Sequence, residues 1–405
     1  MRQRLRLIFC LSVVVAAAGC EDAIGPDPAP ATWRDVAAGY EHTCATASDD
    51  VLWCWGRTAM HRLGFEADVA PCLENGTACT APVPVHGRRL LRDVTVGEAH
   101  GCGRFQQTAY CWGWDRFGQL GDAGQATQRC FTPGGLDPLP CSLEARSVAL
   151  GFGVTDIDAG PSHSCAATTA GDLYCWGLNQ FGQLGTGDRV DGDTPRRVLT
   201  PDGERIIEVA AALSHTCALA ESGNAYCWGA NPDGEFGDGT RIDSDVPVRV
   251  DSDRHFVTID AAIGHVCAID DEGTLFCWGF YGNGRLGGGT AETSRLLPYF
   301  IGLPEPVRQV TTGQTHSCAV AEDDSLYCWG GNAAGQLGIG VAPDQYRPVE
   351  VPFPEPVAEV SAGFAHTCAV ARNGALYCWG ANDWGQLGTG DQAGSSTPVR
   401  VGAPD

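Results

Sequence analysis

Seven times along the chain a histidine stands two residues before a cysteine: His42/Cys44, His100/Cys102, His163/Cys165, His215/Cys217, His265/Cys267, His316/Cys318 and His366/Cys368. Each pair is followed by a Cys-Trp-Gly triplet, beginning at Cys54, Cys111, Cys175, Cys227, Cys277, Cys328 and Cys378. One histidine and two cysteines are donors that zinc accepts. Two facing cysteines are a disulfide, and a histidine of ordinary pKa is a general base. The recurrence argues for structure. A residue present in every repeat does the repeat's own work, so the histidines are expected to bond backbone at a strand start, and the tryptophans to pack between repeats.

The elements that position these residues can be read from the last copy. Val357–Gly363 alternates as a strand, and His366–Ala371 forms a second with His366, Cys368 and Val370 on one face. Arg372-Asn373-Gly374 is a tight turn. Leu376–Gly380 returns with Leu376 and Cys378 on one face and Tyr377 and Trp379 on the other. Folding about Asn373 sets Val370 opposite Leu376 and Cys368 opposite Cys378. Pro398–Val401 supplies a fourth strand. A Gly-x-Leu-Gly-like turn, such as Gly385-Gln386-Leu387-Gly388, follows each Cys-Trp-Gly; His61-Arg62-Leu63-Gly64 is its variant in the first copy. The histidines step by 58, 63, 52, 50, 51 and 50 residues. Seven repeats of four short strands predict an all-β seven-bladed propeller with one disulfide inside each blade.

The cysteine count agrees. Fourteen of the 20 cysteines fall in the repeat, pairing as Cys44–Cys54, Cys102–Cys111, Cys165–Cys175, Cys217–Cys227, Cys267–Cys277, Cys318–Cys328 and Cys368–Cys378. The second pair is one residue closer in sequence, which a shorter hairpin turn absorbs. Cys72–Cys79 and Cys130–Cys141 are two further local pairs. Each bridge closes about ten residues and is worth roughly 2–3 kcal/mol on the chain-entropy model. Paired cysteines belong to an oxidising compartment.

The N-terminus points the same way. Met1–Arg6 is basic, Leu7–Ala18 is apolar but too short to span a bilayer, and Ala17-Ala18-Gly19-Cys20 follows. Small residues before a cysteine at this place resemble the lipobox of bacterial lipoproteins, which implies lipidation at Cys20; an ordinary cleaved signal peptide is the alternative. The expected organisation is a signal peptide over 1–20, with Cys10 inside it, a Pro-rich acidic tether over 21–31 and the propeller over 32–405. The formal net charge is −23, and every one of the 26 basic residues is arginine. Such an acidic body argues against nucleic acid and against adsorption to anionic lipid.

The run from His366 to Asp391 (HTCAV…GALYCWGAN…GQLGTGD) resembles the repeat of the regulator of chromosome condensation family. The resemblance covers about residues 33–402 and implies a seven-bladed propeller. The eukaryotic namesake is a nuclear exchange factor for a small GTPase on chromatin, which an export signal and an acidic body do not suit. A secreted bacterial relative inhibits β-lactamase, so the resemblance also allows protein binding outside the cell. Cysteines at both hairpin positions are not part of the general family pattern, and point to an exported, stapled branch.

No Gly-x-Ser-x-Gly elbow, phosphate loop, His-Glu-x-x-His or calcium loop occurs. Asp/Gly-rich stretches such as Gly185–Asp188 and Gly237–Thr240 read as turns, so no cofactor and no metal are expected. Function is therefore sought where the repeats differ. Long insertions follow the Gly-x-Leu-Gly turn in repeats one (Phe65–Ala81) and two (Asp122–Glu144), on one face of the ring. On that face, Trp384, Met60, Phe117 and Phe181 precede the turn in blades seven, one, two and three. They predict a contiguous apolar arc that holds a partner. The expected function is a non-catalytic, monomeric, extracytoplasmic binding propeller, lipid-anchored to the cell envelope. A cell-surface glycan-binding protein is one alternative. A propeller-type polysaccharide lyase or hydrolase is another, and paired carboxylates lining the central channel would mark it.

Overall fold

The computed structural model describes residues 32–59, 62–64, 72–73, 76–85, 91–125, 128–130, 139–289 and 294–403. Cys10, Cys20, Met60 and most of the first insertion lie outside them. The described chain forms seven antiparallel sheets in a ring; six have their strands in sequence order, and in blade two the last two strands are exchanged, so that the shorter one lies outermost. Blade one is built of Trp33–Ala38, His42–Ala47, Leu52–Arg57 and Ala78–Pro84. Blade seven is built of Val357–Ala362, His366–Ala371, Leu376–Gly380 and Ser395–Arg400. The first strand of each blade lines the central channel and the fourth lies at the rim. The predicted hairpin register holds, with Cys368 opposite Cys378 and Val370 opposite Leu376.

The hairpin cysteines meet in all seven blades with Cα atoms 4.1 Å apart. This is the close spacing of a non-hydrogen-bonded antiparallel pair. In blade two, Phe105 pairs directly with Thr108 across Gln106-Gln107, which accounts for the shorter spacing. Gln106 adopts a φ of 56° there.

The core sits between blades rather than within them. At the boundary of blades seven and one, Cys368, Val370, Leu376, Cys378 and Leu387 pack against Trp33, Val36, Ala45 and Trp55. A like cluster occupies each of the other six boundaries. Each cysteine pair thus forms the apolar floor on which the next blade's Cys-Trp-Gly tryptophan lies, and all seven tryptophans are fully buried. The glycines of the two motifs are required by this arrangement. Gly380 has φ 107°, and a Cβ there would stand 2.5 Å from the Ala365 carbonyl oxygen. At Gly388, φ is 70° and a Cβ would stand 2.7 Å from Trp55 Nε1 of the next blade.

The outer strands are free edges. Six of them carry proline at one register position, as Pro82, Pro195, Pro247, Pro298, Pro348 and Pro398. Proline offers the edge no N–H and blocks further pairing. Blade two has Ala145 at that register. Among the described residues it alone gains a fifth strand, Gln128–Cys130, which pairs with Leu139–Cys141 at the start of its outer strand. The ring closes without sharing a strand between termini. Ala38 N donates to Ser361 Oγ at 2.9 Å, and Trp33 Nε1 donates to the Gly402 carbonyl at 3.2 Å.

Candidate functional site

Five of the seven repeated histidines bond through Nε2 to a hydroxyl of the next blade, where a bond to backbone at their own strand start was expected. His366 Nε2 lies 2.9 Å from Thr43 Oγ1 of blade one. That hydroxyl donates to the Gln386 carbonyl at 2.8 Å, and Trp55 Nε1 donates to the same oxygen at 2.9 Å. Since the hydroxyl proton goes to the carbonyl, Nε2 must carry the imidazole proton and donate. His366 Nδ1 is buried without a partner, as suits an unprotonated nitrogen and a neutral ring. Burial agrees, pulling His366 and His215 down to about 4 and His100, His163 and His316 down to about 3. The same latch joins His100 to Ser164, His163 to Thr216, His265 to Ser317 and His316 to Thr367. These imidazoles and the paired cysteines are committed to assembly, and the histidines are fully buried.

The inner strands carry a second set of cross-blade bonds. As the inner edge of each sheet, they have N–H groups without a strand partner, and such groups must be satisfied. Asp156 accepts from Val209 N at 2.8 Å, and Asp158 from Ala211 N at 2.7 Å. Glu208 accepts from Thr258 Oγ1 at 2.8 Å and from Ile259 N at 3.3 Å. Asp260 accepts from Thr312 N at 2.6 Å. Gln309, Thr311 and Ser361 accept from Val360, Ala362 and Ala38 in the same way. Asp35 and Glu359 hydrogen-bond each other and reach the N–H groups of Val94 and Val36. Burial raises this whole set, taking Asp156 to about 7, Glu208 to about 8 and Asp260 to about 6. Burial and the close approach of the two carboxyls raise Asp35 and Glu359 together. Paired carboxylates do line the channel, as the lyase or hydrolase reading requires. Each of these six is bonded to inner-strand N–H groups, and no histidine or arginine joins them among the cavity's described lining residues.

These strands enclose a cavity of about 560 Å³ along the ring axis, which opens among the loops joining first and second strands. Those loops lie at the end of the ring that carries the insertions. One position in them is unlike in every blade: Tyr40, Glu98, Pro161, Leu213, Ile263, Gln314 and Phe364. Tyr40 and Phe364 pack against each other with centroids 4.4 Å apart and planes tilted by 39°, and Leu213 and Ile263 stand at the same mouth. Leu213 is 38% exposed. The motif search missed this ring because it lies between the inner-strand end and the repeated histidine. Aligning the seven copies and asking which position varies most would have found it.

Of the expected arc, Phe117, Phe181 and Trp384 are each half-buried, and Met60 lies outside the described residues. Trp384 lies under the Arg57 guanidinium of blade one at 4.3 Å, and Phe117 meets Trp114 edge-on at 5.8 Å. Trp384 and Phe117 are therefore ledges braced by neighbouring side chains. Cys72 and Cys79 face each other in the first insertion, and Cys130 and Cys141 bracket the second. The turn at Asp188 is filled from within, since Arg196 Nη1 donates to its carboxylate at 3.0 Å and holds it at about 2. No group of three metal-type side chains gathers among the described residues.

Ring, latches and staples together define a seven-bladed β-propeller whose repeated residues hold the ring itself. A model of the RCC1-like domain matches residues 21–298 and 145–405. The ultraviolet-B receptor UVR8 of Arabidopsis thaliana is 34% identical over 326 residues, covering 78% of this chain and 69% of the receptor. The chain belongs to the RCC1-like family. The human E3 ubiquitin-protein ligase HERC2 is 32% identical over 213 residues, which is 51% of this chain but 4% of the ligase. Among solved structures, human WBSCR16 superposes with a TM-score of 0.72 at 24% identity, over 84% of this chain and 87% of its own. Yeast RCC1 (Prp20), solved with Kap60 bound, superposes with a TM-score of 0.75 at 20% identity, over 99% and 91%. At these identities the superpositions speak for the fold alone.

Proposed function

We propose that this chain is an extracytoplasmic propeller, anchored through Cys20 and the 21–31 tether, that holds another protein on its insertion-bearing face. The observation that carries the reading is where the repeat breaks. Both insertions, the unlike ring of loop residues and the half-exposed Phe117, Phe181 and Trp384 share one face, while the hairpin end keeps to pattern. Sites of recognition belong on loops held by a rigid scaffold. Nine local cysteine pairs fit an oxidising compartment. Yeast RCC1 has been solved with a protein bound, Kap60, and its Prp20p form examined for binding to Gsp1p and histones. Protein holding is thus a use to which this fold is put.

The test compares capture from envelope extract by the full chain, by Phe117→Ser/Trp384→Ser/Phe364→Ala, and by Glu322→Gln on the exposed hairpin end. The expected result is one protein recovered by the wild type and Glu322→Gln but lost by the face variant, with unchanged melting. Equal recovery by all three overturns the assignment of the face. Recovery abolished by removing glycans from the extract transfers the face to glycan binding.

A further inference from the structure

The channel's acids carry more charge than their hydrogen bonds require. At blades five and six the third inner-strand position is Thr258 and Gln309. At blades six and seven the fifth is Thr311 and Ser361. Gln309, Thr311 and Ser361 satisfy the next blade's N–H with a neutral acceptor. Asp35, Asp156, Asp158, Glu208, Asp260 and Glu359 do the same work with an ionisable one. A buried carboxylate costs more to desolvate than an amide or hydroxyl, so edge satisfaction alone does not account for six of them. No arginine or histidine among the described lining residues offsets their charge, and the chain has no lysine.

Their placement selects the kind of cation. The acids stand in different blades and on two levels, the third and fifth inner-strand positions, which two residues of strand separate by about 7 Å. No three gather closely enough to hold a metal. A point charge meets one or two of them, whereas an extended cation meets them in turn. The cavity, about 560 Å³, is of a size that takes a small organic ligand. The rings of Tyr40 and Phe364, tilted 39° to one another, stand at its mouth, and aromatic faces attract organic cations.

We propose that the central channel is a binding site for a linear aliphatic polyamine, which enters past Tyr40 and Phe364 and lays its ammonium groups against the two carboxylate levels. Binding should release protons. Burial holds Asp156 at about 7, Glu208 at about 8 and Asp260 at about 6, and an ammonium beside them favours the ionised form. Affinity therefore rises with pH between about 6 and 8. The Asp35–Glu359 pair, Asp158 and Asp93, which is ion-paired with Arg104, face the same space, and Tyr40 and Glu98 stand near its mouth.

Spermine is titrated calorimetrically into the full chain in ~0.15 M salt, where the ~8 Å Debye length screens the outer surface. The expected result is one spermine per chain, bound at least tenfold more weakly by Asp156→Asn/Glu208→Gln and unchanged in Asp251→Asn/Glu272→Gln on the exterior. The amide variants keep an acceptor, as Gln309 does, and equal melting temperatures verify their fold. In the wild type at pH 7 the heat should also depend on the ionisation enthalpy of the buffer. An absence of binding, equal affinity in the channel variant, a buffer-independent heat, or displacement by Mg²⁺ at equal charge would each overturn the proposal.

Discussion

Five blade boundaries carry the complete latch and two do not. Between blades one and two the hydroxyl is replaced by Gly101, and between four and five by Val266. His42 then has both ring nitrogens unpaired, and His215 has its Nε2 unpaired. The tryptophan bond survives at both, from Trp112 to the Arg62 carbonyl at 3.2 Å and from Trp278 to the Glu235 carbonyl at 2.9 Å. The difference ranks the parts. Tryptophan on the preceding turn is what every boundary needs, and the histidine–hydroxyl bond is an addition. Gly101 has a local reason, since a Cβ there would come 2.6 Å from the Trp112 ring. The incomplete boundaries divide the ring into an arc of blades two to four and an arc of blades five to one. The turn slot that holds Gln119, Gln183, Gln336 and Gln386 elsewhere holds Arg62 and Glu235 at these two, though Arg285 fills it at a latched boundary.

Acid should test the comparison most severely. His100, His163, His215, His316 and His366 take up protons near pH 6.5 when unfolded, but only near 3 or 4 when folded. Between those values the unfolded chain binds more protons. Their contribution is therefore complete above pH 6.5 and is lost as pH falls toward 4. The channel carboxyls act oppositely. Raised in the folded state, they contribute most in acid, and their contribution is lost as pH rises toward 8 for Glu208. Stability is expected to peak between these flanks. Hydrogen exchange at pH 5 should open the strands of Gly101 and Val266 before those of Ser164 and Thr367. Uniform protection would erase the distinction.

Trp379→Ala and Trp278→Ala should each cost about 3–5 kcal/mol in denaturant unfolding, because the tryptophan serves both kinds of boundary. A much smaller loss at Trp278 would mean that the boundaries differ in more than the latch. Thr367→Val leaves His316 Nε2–H unpaired and should cost about 1–3 kcal/mol. The converse, Val266→Thr, offers His215 a hydroxyl and should return about 1 kcal/mol. A loss there would show a boundary packed to exclude the latch rather than one lacking it.

Much of the fold was legible because its determinants are local. Strand parity around Asn373 and the ten-residue spacing of Cys368 and Cys378 fix the hairpin without knowledge of its neighbours. What was not legible depends on the adjoining blade. His366 was expected to bond backbone because Thr43 is more than 300 residues away in sequence. The channel acids passed unremarked because an inner strand's unpaired N–H groups exist only once the ring has closed. Tyr40 and Phe364 meet only because the last blade lies beside the first. The arc of Phe117, Phe181 and Trp384 was read as one face, but its half-support by Trp114 and Arg57 needed side chains in place.

Among the described residues every cysteine pair joins positions no more than 11 apart, and none crosses from one blade to another. A chain that becomes available from its N-terminus onward presents such cysteines two at a time, each beside its own partner and far in sequence from the remainder. Sorting eighteen thiols in a finished chain is a formidable combinatorial problem, and sequential arrival reduces it to a series of choices between neighbours. Each hairpin can then enter the ring already sealed, so closure of blade seven on blade one is a docking of finished pieces and not a search through mispaired ones.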